Sequence, residues 1–245
     1  MSNHEHHFTR RGSLGQLAGL VAAAMGAGAL EAESAGAGPA AVASGAVRCI
    51  LTPELTEGPY YIAGEKVRRD ITEGRPGVPL ALRTSVVSAS TCKPIRGAAV
   101  DIWHCDAGGL YSGYTSGAGG GPGGGGGGHQ SPTDTQTFMR GIQRTDADGL
   151  AQFKTIYPGW YTGRAVHIHV KVHVRGTVVH TGQLFFPDAL TDAVYTRSPY
   201  ASRGTRDKRN ADDSIYVNGG SKGMVTAVKS GTGYIARITM GVVTA

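Results

Sequence analysis

The sequence has no heptad-spaced apolar pattern, and charged residues make up only 17% of it. The first absence argues against a coiled coil or a bundle of long helices. The second, together with 39 glycines, describes a chain rich in turns. Cysteine is scarce as well. Cys49, Cys92 and Cys105 are the only ones, and no Cys-x-x-Cys or Cys-x-x-x-Cys pair exists among them, so a thiolate metal site is not expected. These thiols allow one disulfide and one free thiol. Cys92 and Cys105 flank one predicted strand and belong near its opposite ends, so Cys49 is expected to be one partner, with the other left open. Ordered basic character is also missing. The formal charge of +6 comes from residues scattered as Arg68-Arg69, Arg203, Arg206 and Lys208-Arg209. That pattern reads as a solvated surface favouring small anions, not as a nucleic-acid footprint. No internal repeat and no second domain is evident.

What is present begins with an address. Arg10-Arg11 precedes an apolar, Ala/Gly-rich run from about Leu14 to Leu30, followed by Ala35-Gly36-Ala37 and Ala41-Val42-Ala43 as candidate cleavage sites. Residues 1–43 are therefore expected to be a twin-arginine-like export signal, directing the protein to the periplasm or beyond the cell. Dilution by Gly and Ala favours a removed signal over a stable membrane anchor. Residues 44–245 are expected to form one domain, since a 40% hydrophobic content is compatible with a packed core.

Within that domain, Leu80–Ser88, Ala98–His104, Gly149–Thr155, Ala165–Val174, Thr177–Phe186 and Tyr234–Val243 read as strands. The stretch 50–61 reads as an extended, turn-rich arm. The glycine-rich residues 117–128 read as a flexible surface loop, because the helix that a phosphate-cradling loop needs does not follow. Many short strands, long loops and little helix predict an all-β sandwich of mostly antiparallel strands.

The strongest local signal is His167-Ile168-His169. Residues two apart on a strand face the same way, so both imidazoles can grip one metal ion. His173 shares their parity but lies roughly 13 Å from His169 at strand rise, too far unless the strand bends.

Around this pair, three segments resemble the intradiol ring-cleavage dioxygenases, the family of protocatechuate 3,4-dioxygenase and catechol 1,2-dioxygenase. They are TPELTEGPYY at 52–61, GAAVDIWHCDAGGLY at 97–111, and RTDADGLAQFKTIYPGWYTGRAVHIHVKV at 144–172. The resemblance is to an exported, compact subset, without the helical N-terminal region of the catechol-type dimers. It implies a ferric ion, Fe(III), bound by Tyr111, Tyr161, His167 and His169. It implies Arg164 as the active-site arginine, Gln183 as a glutamine near the substrate, and Pro59 and Tyr60 as an element closing over the cavity. The stretch from Tyr161 to Arg164 is shorter than in the protocatechuate enzymes, which keeps Tyr157 and Tyr114 as alternative oxygen donors. Trp103 is read as core.

The chemistry agrees with the implied ligands. Fe(III) is a hard cation that prefers anionic oxygen. A free phenol, with a pKa of about 10, stays protonated at neutral pH unless a metal holds it as the anion. Two phenolates and one hydroxide neutralise the ferric charge, and neutral imidazoles add binding without charge. The implied reaction is cleavage of a catechol by O2 between its hydroxyl-bearing carbons, giving a cis,cis-muconate-type dicarboxylate. The expected partners are a small aromatic diol and O2, with no nucleic acid, and a homo-oligomer is left open. Two other readings compete: a non-catalytic sandwich binding a carbohydrate or aromatic ligand, and a zinc or copper enzyme using the His-x-His pair.

Overall fold

The structure, a computed structural model, describes residues 51–115 and 130–244. The signal-like segment, Cys49, the start of the domain and the glycine run lie outside the described residues. Cys92 is disulfide-bonded, and Cys105 is a free, buried thiol. Among the described residues no helix is long and apolar enough to cross a membrane.

Among the described residues, eight strands form two sheets. One sheet has the order β4-β1-β8-β7, from Leu150–Ile156, Pro79–Ser88, Gly233–Val242 and Thr226–Ser230. The other has the order β3-β2-β5-β6, from Arg140–Arg144, Ala99–Trp103, His167–Val174 and Thr177–Phe185. All pairs are antiparallel except β1 with β8. Two short helices, α1 (Asp188–Tyr195) and α2 (Ser214–Val217), sit in the long β6–β7 connection.

Alternation places the core. Leu80, Leu82 and Val86 of β1 and Ala236, Ile238 and Met240 of β8 meet Val100 and Ile102 of β2, and Ile168, Val170 and Val172 of β5. The other face of the second sheet is what matters for function. Period two forces His167, His169 and Lys171 onto it, and the register sets Trp103 and Gln183 on either side of His169. A one-sided sheet would leave these residues in water, yet both histidines and Gln183 are buried.

The arm covers them. Thr52 N–H donates to Gly241 O (3.0 Å) and Leu55 N–H to Thr181 O (2.9 Å). The Glu54 carboxylate accepts from Thr181 N–H at 2.9 Å and lies 2.8 Å from His180 Nδ1. The chain then bridges to β3 at Val67 and to β4 at Asp70. The arm is thus hydrogen-bonded along its length to both sheets, and its turn at Gly58-Pro59 lies over β5.

Candidate metal centre

β5 delivers two imidazoles whose Nε2 atoms are 3.0 Å apart. His167 Nδ1 lies 2.7 Å from Ala165 O. A carbonyl only accepts, so Nδ1 carries the proton and Nε2 offers its lone pair to the site. Trp103 lies flat against His169, with ring centroids 5.0 Å apart and an interplanar angle of 6°, and fixes that ring. Burial is the main cause that drives both imidazoles well below the ordinary histidine range, helped by Arg164 beside His167 and by His167 beside His169. Both rings are therefore neutral ligands in waiting.

Two turns bring the phenols. The Asp106 carboxylate accepts from Gly108 and Leu110 N–H (2.8 and 3.0 Å) and shapes the turn that ends at Tyr111. The Pro158-Gly159 turn docks on it through Gly159 N–H to Asp106 O (3.0 Å). A Cβ on Gly159 would stand 2.5 Å from that carbonyl, so the close approach requires glycine. Tyr161 Oη consequently reaches 3.0 Å from His167 Nε2. Tyr111 packs edge-on against both Tyr161 and His169, with centroids 5.7 and 6.1 Å apart. Its hydroxyl is buried beside that of Tyr161.

These four donors fit one hard cation. Nitrogens each about 2.1 Å from a metal stand roughly 3.0–3.4 Å apart at right-angled to tetrahedral geometry, which matches the histidine pair. No group of three His, Cys, Asp or Glu that could hold a metal ion exists among the described residues. The phenol of Tyr161, 3.0 Å from His167 Nε2, is the oxygen donor placed beside the histidine pair. Burial raises both phenol pKa values, with Tyr161 adding to the rise at Tyr111. Only a strongly charged cation would hold them as anions. The two adjoining buried phenol oxygens, one of them 3.0 Å from His167 Nε2, are what such an ion would bind.

Beside the donors lies a cleft of about 200 Å³, lined by Gly58, Pro59, Tyr161, Arg164, His169 and Ile215 among others. Roughly 150 Å³ holds a benzene ring, so one substituted ring fits. Arg164 Nη1 is 3.5 Å from His167 Nε2, and its Nη2 donates to Gln183 Oε1. Gln183 Nε2 in turn donates to Thr56 O (2.9 Å). Both ends of this amide are engaged, so Gln183 ties the arginine to the arm.

Asp213 is a residue that sequence reasoning missed. Its Oδ2 accepts from Arg164 Nε (2.9 Å) and Ala165 N–H (2.7 Å), while Oδ1 caps α2 through Ile215 N–H (2.8 Å). The signal available was Asp213-Ser214 as a helix N-terminus, which gives no hint of the arginine.

Of the remaining expectations, Pro59 lines the cleft, whereas Tyr60 does not. Tyr60 lies behind the centre, 4.7 Å from Tyr111 and 4.8 Å from Tyr114 between ring centroids. The two alternative oxygen donors are engaged elsewhere: Tyr114 donates to Gln130 O, and the Tyr157 hydroxyl pairs with Thr191. His173 sits past a register shift in β5 and lines a different cavity. Trp103 is buried, but among the site's aromatics and not in the sandwich core.

A family model described as Dioxygenase matches residues 56–208. Catechol 1,2-dioxygenase 1 of Acinetobacter lwoffii is 32% identical over 117 residues, covering 45% of this chain and 32% of that protein. Chlorocatechol 1,2-dioxygenase of Pseudomonas putida is 27% identical over 151 residues, covering 53% of this chain and 52% of that protein. The match thus spans about a third to a half of the length of these curated relatives. Among solved structures, an intradiol ring-cleavage dioxygenase from Tetranychus urticae superposes with a TM-score of 0.73 at 33% identity, over 80% of this chain and 95% of that one.

Proposed function

The chain belongs to the intradiol ring-cleavage dioxygenases, and on that footing we propose that it opens a catechol-type ring between its two hydroxyl-bearing carbons, using O2 and a ferric ion held by Tyr111, Tyr161, His167 and His169. The convergence of these four side chains on one buried point supports the reading most directly. When bound, the ferric ion supplies Lewis acidity, drawing electron density from the ring so that O2 attacks carbon.

The chain's own groups do the rest. Tyr161 lines the cleft, while Tyr111 is sealed behind it, so Tyr161 Oη is the base placed to take a proton from an entering catechol hydroxyl. Arg164 faces the ring from beside His167 and stabilises the negative charge that develops on it. Gln183 and Asp213 hold that guanidinium in place. Pro59 and Gly58 close the cleft on the arm side and limit water. The product of this reading is a cis,cis-muconate-type dicarboxylate. Export remains part of the proposal and rests on Arg10-Arg11 and the apolar run after it.

Incubation of the iron-loaded protein with catechol under isotopically labelled O2 tests the reading. Both labelled atoms should enter one diacid product. An intact ring, or an aldehyde product from cleavage outside the diol, would overturn it.

A further inference from the structure

The cleft is almost devoid of usable positive charge. Thr56, Gly58, Pro59, Thr162, Gly163 and Ile215 give it neutral walls, and Arg164 is its one cationic lining residue among those described. That cation is turned to the metal end of the cleft, where its Nη1 lies 3.5 Å from His167 Nε2. Its Nε is paired with Asp213, which is 1% exposed, and its Nη2 is bonded to Gln183. A second carboxylate stands at the rim, where Asp207 Oδ2 accepts from Gly163 N–H. The Asp213 carboxylate also caps α2 and so fixes Ile215 as an apolar wall.

From this arrangement we infer that the site takes uncharged catechols with hydrogen or small apolar ring substituents and rejects catechols that carry a ring carboxylate. The inference rests on the ring-cleaving function proposed above and names its substrate class. A substrate carboxylate entering the cleft loses its hydration and meets no free counter-charge. To claim Arg164 away from its metal-facing Nη1, it must displace Asp213 from Nε or Gln183 from Nη2, and parting a buried carboxylate from its cation is the costly way to break an ion pair. A methyl or similar group against Ile215 and Pro59 gains burial instead, about fourfold in affinity per methyl.

Anaerobic titration calorimetry of the iron-loaded protein at neutral pH separates the outcomes. The ligands are catechol, 4-methylcatechol, 3,4-dihydroxybenzoate and its neutral shape match, 3,4-dihydroxybenzamide. The benzoate is expected to bind at least about tenfold more weakly than both 4-methylcatechol and the benzamide. Ile215→Lys, which puts a free cation into the wall, is expected to narrow that gap. A benzoate as tight as the benzamide, or a gap that Ile215→Lys leaves unchanged, overturns the inference while the ring-cleaving reading stands. A protein that binds none of the four overturns both.

Discussion

His167 and His169 present their Nε2 atoms to each other across 3.0 Å, one turned inward by its bond to Ala165 O and the other by the face of Trp103. Both rings are buried and burial keeps them neutral, which suits the proposed shared ion. His167→Ala should therefore abolish iron retention and visible colour while the sandwich still melts cooperatively. Metal analysis of the dialysed variant checks this, and full iron occupancy would place the metal elsewhere.

Arg164 touches the site without being a ligand. Arg164→Leu should keep most of the iron and lower kcat by about a hundredfold to a thousandfold, the usual cost of losing an oriented charge-stabilising donor. The same change strips Asp213 of its cation, so a lower melting temperature should accompany it. Steady-state oxygen uptake, normalised to bound iron, is the readout. An unchanged kcat would remove Arg164 from the transition state.

Gly58 and Gly64 both sit at positive φ, 77° and 79°, but a Cβ at Gly58 would lie 3.0 Å from His169 Cε1 while one at Gly64 meets nothing within 4 Å. Replacing either by Ala should cost about 1–2 kcal/mol of stability from the left-handed backbone. Gly58→Ala alone should shift the visible spectrum, because only it presses on His169, a proposed ligand. Thermal melts and absorption spectra of the two variants decide this, and identical spectra would count against the contact.

Asp101 lies two residues before Trp103 on β2, buried opposite Lys171, and burial above all pushes its carboxyl from 3.8 up to about 7. The folded protein thus holds this proton to higher pH than the unfolded chain does. The contribution of Asp101 to stability is full below about pH 4 and falls as pH rises towards about 7, by at most about 4 kcal/mol. Asp101→Asn cannot ionise, so it should melt higher than the parent at about pH 8 and close to it at about pH 4. Parallel melting curves across that range would contradict the shift.

The strands with apolar alternation, β1, β2, β4, β5, β6 and β8, were legible, because burial on at least one face writes a period of two into them. β3 and β7 were not. Arg140–Arg144 and Thr226–Ser230 are polar edge strands that carry no such period. The site was legible where it is local: His-x-His is a strand rule, and Pro-Gly-Trp-Tyr marks a turn. It failed where distant segments meet. Asp213 braces Arg164 across 49 positions, and nothing local announces that contact. Tyr60 was expected over the cavity and instead backs Tyr111, since adjacent arm residues point opposite ways and Pro59 takes the cleft side.

A ferric ion bound by two phenolates absorbs visible light through ligand-to-metal charge transfer, so the metal content and visible spectrum of the purified protein bear most directly on the centre. Stoichiometric iron is predicted, with a broad visible band that is lost when Tyr111 and Tyr161 are both replaced by Phe. A colourless protein carrying tightly bound zinc would contradict it.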